Sequence, residues 1–255
     1  MDLGFKGKTV IITGGTKGIG SGITEVFAEE GANLIVDYRS DREGSEKFIA
    51  EIAEKYHVEA YGVQADVGKP EDVKRIFDFA EGKYGRLDVL INNAGGGKKS
   101  TMIWDITLEE WQECLTNNLT GMFMMSQEFA KRMIANGWKG YIVNVLSKAS
   151  LTTTTKGRAC YVSNKAGEMG LTKQLAVDLT DKGIIVNGIM PGSVMNTFMS
   201  EWTEEQIAER AKRSPIGRLG QPYEFGKMVA FLASEQNQLS VGAPVDNTGG
   251  MMLGF

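Results

Sequence analysis

A tyrosine and a lysine lie four positions apart in the stretch RACYVSNKAG, residues 158–167. In a helix, positions i and i+4 share one face, so the phenol of Tyr161 and the ammonium of Lys165 would be neighbours. A free phenol, with a pKa of about 10, is a poor base at neutral pH. An ammonium about 5 Å away, at an effective dielectric of about 20, would stabilise the phenolate by roughly 3 kcal/mol. The pair suits proton transfer, although chance also produces this spacing on solvated helix faces.

A glycine-rich stretch, TGGTKGIG at residues 13–20, follows the apolar run KTVIIT and precedes a segment with helical spacing. Gly14 can turn tightly, and Gly18 and Gly20 let the backbone approach a pyrophosphate. The free N–H groups of the following helix would face that anion. The context indicates a dinucleotide site; the alternative is a merely structural strand-to-helix turn.

The second apolar run ends in NLIVDYRS, which contains both an acid and a base. An acid at the end of this strand binds ribose hydroxyls and favours NAD, whereas an arginine accommodates a 2′-phosphate and favours NADP. Alternation along a strand places Asp37 and Arg39 on one side. Because Lys17 adds a second cation, NADP(H) is favoured and NAD(H) stays possible. Alternatively, Asp37 and Arg39 pair with each other and decide nothing.

These residues are carried by alternating strands and helices. Buried strands are indicated at KTVIIT, NLIVDY, VEAYGVQ, DVLINNAG, GYIVNVLS, IIVNGIMPG and VGAPVDNTGG. Helical spacing covers about 19–30, 44–56, 71–84, 108–135, 158–182 and 223–234. This alternation predicts a parallel sheet with helices on both faces, and ligands of such sheets bind at the carboxyl ends of the strands.

Composition excludes several classes of function. The 255 residues suit one α/β domain, and a net charge of −4 gives no field for nucleic acid or anionic membrane. No apolar run is long enough to span a bilayer, and the N-terminus lacks a signal-peptide core. His57 is the only histidine, so we expect neither a histidine triad nor a metal site. Cys114 and Cys160 are expected to stay reduced, in a cytoplasmic protein.

Seven motifs occur in order along the chain: TGGTKGIG, ADV (65–67), NNAG (92–95), TNNLTG (116–121), IVNVLS (142–147), YVSNK (161–165) and VNGIMPG (186–192). Together they resemble the short-chain dehydrogenase/reductase family over nearly the whole chain. The resemblance implies a single-domain Rossmann-type α/β fold whose doubly wound parallel sheet has about seven strands in the order 3-2-1-4-5-6-7. It also implies NAD(P)(H)-dependent chemistry on alcohols or carbonyls.

The same resemblance implies a catalytic set of Asn118, Ser147, Tyr161 and Lys165. Tyr161 would protonate the carbonyl oxygen, Ser147 would hydrogen-bond that oxygen, and Lys165 would tune Tyr161 and hold the cofactor ribose. Asn118 would support a chain of water molecules that returns protons. Ser150 is a weaker candidate for the serine.

The resemblance also implies the cofactor contacts. The family's usual acid position falls on Tyr38 with Arg39 next, which favours NADP(H) further. The expected cofactor-binding residues are Gly14, Thr16, Lys17, Gly18, Ile19, Gly20, Arg39, Ser40, Asp66, Val67, Asn93, Ala94, Gly95, Tyr161, Lys165, Pro191, Gly192, Val194 and Thr197.

Two features bear on the substrate. Lys98, Lys99, Lys148 and Arg158 would form an electropositive mouth for an anionic or strongly polar substrate, or are simply surface charges. Residues around 193–213 contain Met195, Phe198, Met199 and Trp202 near helical spacing, which indicates either a mobile substrate lid or a helix packed on the core.

The sequence therefore predicts an NADPH-preferring ketone reductase or alcohol dehydrogenase. Alternatives are an NAD-linked dehydrogenase of a sugar or steroid-like alcohol, a 3-oxoacyl-carrier reductase, and a non-catalytic dinucleotide sensor. The partner is expected to be a small-molecule carbonyl or alcohol, not nucleic acid or membrane. Apolar residues on more than one face of the helical segments at 108–135 and 158–182 predict a homotetramer, with a dimer as the alternative.

Overall fold

The computed structural model describes residues 2–97, 100–153, 155–196, 199 and 202–253. Its sheet has seven parallel strands in the order β3-β2-β1-β4-β5-β6-β7, as predicted. The strands are β1 (Thr9–Ile12), β2 (Asn33–Tyr38), β3 (Ala60–Gln64), β4 (Val89–Asn92), β5 (Gly140–Val145), β6 (Ile184–Pro191) and β7 (Pro244–Asn247).

Helices cover both faces of this sheet. They are α1 (Gly18–Glu29), α2 (Arg42–Tyr56), α3 (Pro70–Tyr84), α4 (Leu108–Leu115), α5 (Gly121–Asn136), α6 (Ala159–Leu179), α7 (Glu204–Ala211) and α8 (Pro222–Leu232). The predicted single helix at 108–135 is interrupted, because Thr116–Thr120 forms a π-helical segment between α4 and α5. Among the described residues, no helix is both long and apolar enough to cross a membrane.

Two hydrophobic cores lie on opposite faces of the sheet. Alternation along β1 sends Val10 and Ile12 into the core beneath α1, α2 and α8, whereas Ile11 joins the core beneath α3, α5 and α6. Both cores are fully enclosed at these positions. The carboxyl ends of the strands are thereby held at one edge, where ligands of parallel sheets bind.

The packing of α1 against α8 depends on Gly22. A Cβ atom at this position would lie 2.0 Å from the carbonyl carbon of Pro222, closer than any real contact. The backbones of the two helices therefore approach each other directly. This contact fixes the helix that follows the glycine-rich loop.

The segment after β6 differs from the predicted apolar helix. Met195 and Asn196 lie outside any helix, and Phe198 falls outside the described residues. Val194 instead forms an isolated parallel bridge with Gly220. Helix α7 begins only at Glu204, where Thr203 and Gln206 form a capping box.

Candidate active site

The glycine-rich loop forms a cradle at the end of β1. Gly14 has a left-handed φ of +60°, and a Cβ atom at Gly20 would lie 2.1 Å from the Gly14 carbonyl oxygen. No side chain among the described residues caps the N-terminus of α1, which leaves its first N–H groups for a ligand. An uncapped helix start above a loop without side-chain bulk fits the phosphates of a dinucleotide. Thr16 lies beside this cradle, its hydroxyl 3.1 Å from that of Ser45.

Asp37 lies beneath this loop and does not point toward its rim. Its carboxylate accepts a hydrogen bond from the Gly14 N–H at 2.6 Å, and the side chain is buried. Burial raises the pKa of Asp37 to about 7, with the charges of Asp66 and Asp72 adding to the effect. Within the described chain Asp37 makes no ion pair with Arg39, so the alternative that the two neutralise each other is wrong.

The rim above β2 is formed by cations and hydroxyls. Arg39 and Ser40 are exposed just after the strand. Lys17 reaches this rim from the loop, with its ammonium 2.5 Å from the Asp41 carboxylate. Tyr38, at the position expected for an acid, is buried and donates its hydroxyl to Glu46 at 2.5 Å.

The ends of β3 and β4 complete this side of the cradle. The Asn93 side-chain amide donates to the carbonyl oxygens of Thr13 and Gly14 at 2.9 and 3.0 Å, which ties β4 to the loop. Ala94 donates its N–H to the Thr13 hydroxyl. After β3, Asp66 accepts from the Gly68 N–H at 3.0 Å, and Val67 is buried next to it.

Asn118 lies in the π-helical segment and is buried. Its amide group donates to the carbonyl oxygens of Cys114 and Gly96, at 2.8 and 3.3 Å, and accepts from the Gly96 N–H at 2.9 Å. Asn118 therefore holds the loop after β4, which contains Gly95, against α4. These contacts support a positioning role for Asn118, in addition to its expected role of holding a chain of water molecules.

Lys165 reaches the end of β5 from α6, and Ser147 follows the same strand. Ser147 is buried directly after the strand, and its hydroxyl accepts from the Ala149 N–H at 3.1 Å. The Lys165 ammonium donates to the Val145 carbonyl oxygen at 3.0 Å, which brings α6 against β5. Tyr161 lies one helical turn earlier, half-buried, beneath the Arg158 guanidinium at 4.5 Å from its ring centroid. The hydroxyl of the alternative serine, Ser150, is buried with no hydrogen-bond partner among the described residues.

Glu168 is a site residue that the sequence analysis missed. Its carboxylate is 2.7 Å from the Lys165 ammonium, and only 1% of the residue is exposed. Burial opposes the charge of Lys165, but Glu168 and Tyr161 raise the pKa of the ammonium above its usual range. The available signal was its spacing, three residues after Lys165 on the same helix face.

Of the cations predicted to form an electropositive mouth, Lys148 has two neighbours that the prediction did not include, Arg210 and Arg213. Lys148 follows Ser147 directly and is half-buried. Burial lowers its pKa, and the charges of Arg210 and Arg213 lower it further. Within the described chain, no carboxylate lies within ion-pair distance of these three cations, and the buried Arg210 Nε has no hydrogen-bond partner. Lys98 and Lys99 lie outside the described residues.

The remaining predicted contacts lie at the end of β6. Pro191 ends the strand, and the Gly192 backbone lies so close to Thr248 that a Cβ atom would be 2.2 Å from the Thr248 carbonyl oxygen. Val194 is buried in its bridge with Gly220. Thr197 lies outside the described residues. Among the residues that are described, no group of three or more acids, histidines and cysteines could hold a metal ion.

Known proteins are similar to this chain over nearly its whole length. A family model described as enoyl-(acyl carrier protein) reductase matches residues 14–252. Glucose 1-dehydrogenase 2 of Bacillus subtilis is 34% identical over 97% of this chain and 95% of its own. A 3-oxoacyl-[acyl-carrier-protein] reductase of Aquifex aeolicus is 34% identical over 98% and 100%. The crystal structure of L-sorbose reductase from Gluconobacter frateurii, complexed with NADPH and L-sorbose, superposes with a TM-score of 0.93 at 28% identity, covering all of both chains.

Proposed function

The chain belongs to the short-chain dehydrogenase/reductase family, and we propose that it reduces a ketone with NADPH at a site formed by Ser147, Tyr161 and Lys165. As a member of this family it is an NAD(P)-dependent oxidoreductase that acts on alcohol or carbonyl groups. The observation that carries the proposal is the hydrogen bond from the Lys165 ammonium to the Val145 carbonyl oxygen, which brings the helix of Tyr161 to the end of β5, two residues before Ser147.

Each side chain has one task in the proposed reaction. When bound, the reduced cofactor supplies the hydride for the carbonyl carbon. Tyr161 donates its proton to the carbonyl oxygen as negative charge develops there. Ser147 hydrogen-bonds the same oxygen and aligns it. Lys165 stabilises the resulting phenolate, and Asn118 keeps the loop of Gly95 and Gly96 in place.

The preference for NADPH is supported by the rim above β2. Arg39 and Ser40 are exposed where a 2′-phosphate would lie, and the buried Asp37 is engaged by Gly14 and not by the rim. An NAD-linked dehydrogenase needs an acid at that rim, and the position holds Tyr38 instead. Asp41, the nearby acid, is paired with Lys17.

Calorimetric titration tests this preference. We expect NADPH to bind at least about tenfold more tightly than NADH, a difference of about 1.4 kcal/mol. Arg39→Ala should remove most of that difference and leave NADH binding unchanged. Lys47→Ala, an exposed charge on α2, is the matched control. Tighter binding of NADH by the unaltered protein would refute the preference.

Turnover tests the chemistry separately. Tyr161→Phe removes the proton donor, so the rate should fall at least about a hundredfold while NADPH affinity stays unchanged. A non-catalytic sensor would show no turnover in either protein. A Tyr161→Phe variant that keeps its full rate would refute the assigned role.

Two other reactions remain candidates through the relatives. An NAD-linked sugar or steroid-like alcohol dehydrogenase and a 3-oxoacyl-carrier reductase would use the same proton donor. Comparing glucose with NAD⁺ against a 3-oxoacyl carrier with NADPH separates them. The cluster of Lys148, Arg210 and Arg213 supports an anionic substrate for the ketone reductase.

The organisation of the protein is also proposed. We infer a single domain over residues 1–255, in which residues around 193–213 close over the substrate. Exposed apolar side chains on α5 and α6, among them Phe123, Ile134 and Val177, support self-association, for which we propose a homotetramer, with a dimer as the alternative. Light scattering that gave the mass of one chain would refute the assembly.

A further inference from the structure

A buried acid lies behind the lysine of the proposed site. Glu168 and Lys165 share one face of α6, and their charged groups are 2.7 Å apart. The Glu168 side chain is 1% exposed and that of Lys165 is 7% exposed. Such a pair is screened little by water, so each charge acts strongly on its neighbours.

The pair fixes the direction of the lysine ammonium. An ammonium has three N–H donors. One donates to the Val145 carbonyl oxygen and a second to the Glu168 carboxylate. Only the third remains for the side of the site where Tyr161 lies. Without Glu168, two donors would be unassigned and the ammonium could turn away from Tyr161.

The carboxylate also offsets the positive field of the lysine. The other titratable groups that act on Lys165 are Tyr161 on the same helix and Cys114 on α4. Burial raises the pKa of the Cys114 thiol, which therefore stays uncharged at neutral pH. Burial raises the pKa of Glu168 and the Lys165 ammonium opposes that rise, so the acid that faces Lys165 is Glu168, about two helical turns from Tyr161 on α6. The other cation beside Tyr161 is Arg158, whose guanidinium lies 4.5 Å from the ring centroid and is the same in every variant compared below.

We propose that Glu168 is a positioning residue that orients the Lys165 ammonium and limits its field, so that the Tyr161 phenolate forms at a higher pH than it would beside an unpaired lysine. This inference rests on the proposed role of Tyr161 and Lys165. In this proposal Glu168 affects the pH range in which Tyr161 ionises, and not only the stability of the fold.

An ultraviolet titration of the tyrosinate band tests the proposal without a substrate. The signal of Tyr161 is the difference between each protein and its Tyr161→Phe counterpart, measured with saturating NADP⁺. Glu168→Gln keeps the volume and an acceptor for Lys165 but removes the charge. We expect the midpoint of Tyr161 ionisation to move down by about one pH unit, as expected for one charge at such a distance.

Two further variants make the test specific. Glu168→Asp keeps the charge and should leave the midpoint close to that of the unaltered protein. Glu128→Gln, on α5, removes an acid that pairs with Arg132 away from the site, and should not move the midpoint. If Glu168→Gln does not fold, Glu168→Met removes the same charge and fills the space, with NADP⁺ added to stabilise the folded state.

The outcomes separate this inference from the proposed function. A destabilised Glu168→Gln protein with an unshifted Tyr161 midpoint would show a purely structural acid and overturn the inference. The proposed function would stand, because it is decided by turnover of the Tyr161→Phe variant. A full rate in Tyr161→Phe would overturn the function whatever the titration shows.

Discussion

Replacing Asp37 by Asn should make the protein more stable, and increasingly so as the pH rises. The carboxyl is buried and its pKa is raised from 3.8 to about 7 by that burial. Between these values the folded chain holds the proton more tightly than the unfolded chain. Stability is therefore highest at low pH and is lost as the pH rises through about 7.

The size of the effect follows from the two pKa values. One pKa unit corresponds to about 1.36 kcal/mol. At pH 8 the folded state is therefore about 4 kcal/mol less stable with Asp37 than it would be with a side chain that does not ionise at this position. About 1.6 kcal/mol of this is already present at pH 5, because the unfolded carboxyl ionises near pH 4. Asn has no proton to lose, and its amide oxygen can still accept from Gly14. The advantage of Asp37→Asn should therefore grow by about 3 kcal/mol from pH 5 to pH 8.

Guanidinium chloride unfolding at pH 5, 6.5 and 8 measures this change directly. Asp181→Asn, at an acid whose side chain is 69% exposed, is the control and should show a difference that does not grow with pH. Parallel stability curves for the Asp37→Asn and unaltered proteins would refute the argument, because they would mean that Asp37 does not titrate in this range.

Three further predictions concern packing and charge. Gly22→Ala should lower the free energy of unfolding by about 3 kcal/mol, because the added Cβ would meet the Pro222 backbone. Gly82→Ala, in open space on α3, should raise the same free energy by about 1 kcal/mol. Equal effects of the two substitutions in denaturant unfolding would contradict this expectation. Arg132→Met should lower the free energy of unfolding by about 2 kcal/mol, because the guanidinium contacts three carboxylates of α3 and α5. In 1 M NaCl the screening length falls to roughly 3 Å, so an electrostatic effect should shrink. A loss of stability that is unchanged in 1 M NaCl would argue against an electrostatic cause. Lys148→Met should reduce the ratio of kcat/KM for an anionic ketone to that for its uncharged analogue about tenfold, and an unchanged ratio would remove Lys148 from the substrate mouth.

The parts of the fold set by local periodicity were predictable from sequence. The succession of apolar runs and segments with helical spacing predicted a parallel sheet, and the family resemblance implied its strand order; the structure confirms both. The Tyr161–Lys165 spacing gave the pair on α6, since i and i+4 positions share a face whatever the tertiary packing.

Features that depend on tertiary burial were not predictable in this way. Alternation put Asp37 and Arg39 on one side, but only the position of the glycine loop shows that Asp37 is engaged by Gly14. Glu168 has the pattern of an ordinary polar residue of a helix in the sequence, and only its burial beside Lys165 in the folded chain shows that the two are partners. The interruption at Thr116–Thr120 is a single π-helical turn between two α-helices, too short for a periodicity argument over 108–135 to reveal.

The close contact of α1 with α8 has a consequence for synthesis of the chain. The ribosome releases β1, the glycine loop and α1 first, yet the surface that covers α1 at Gly22 belongs to Pro222 and Gly226, near the other end of the chain. The side of α1 around Gly22 therefore stays uncovered until α8 has emerged. The glycine cradle is thus encoded near the start of the chain, whereas the helix behind it gains one of its packing partners only near the end, and a nascent chain that stops before α8 leaves that contact unmade.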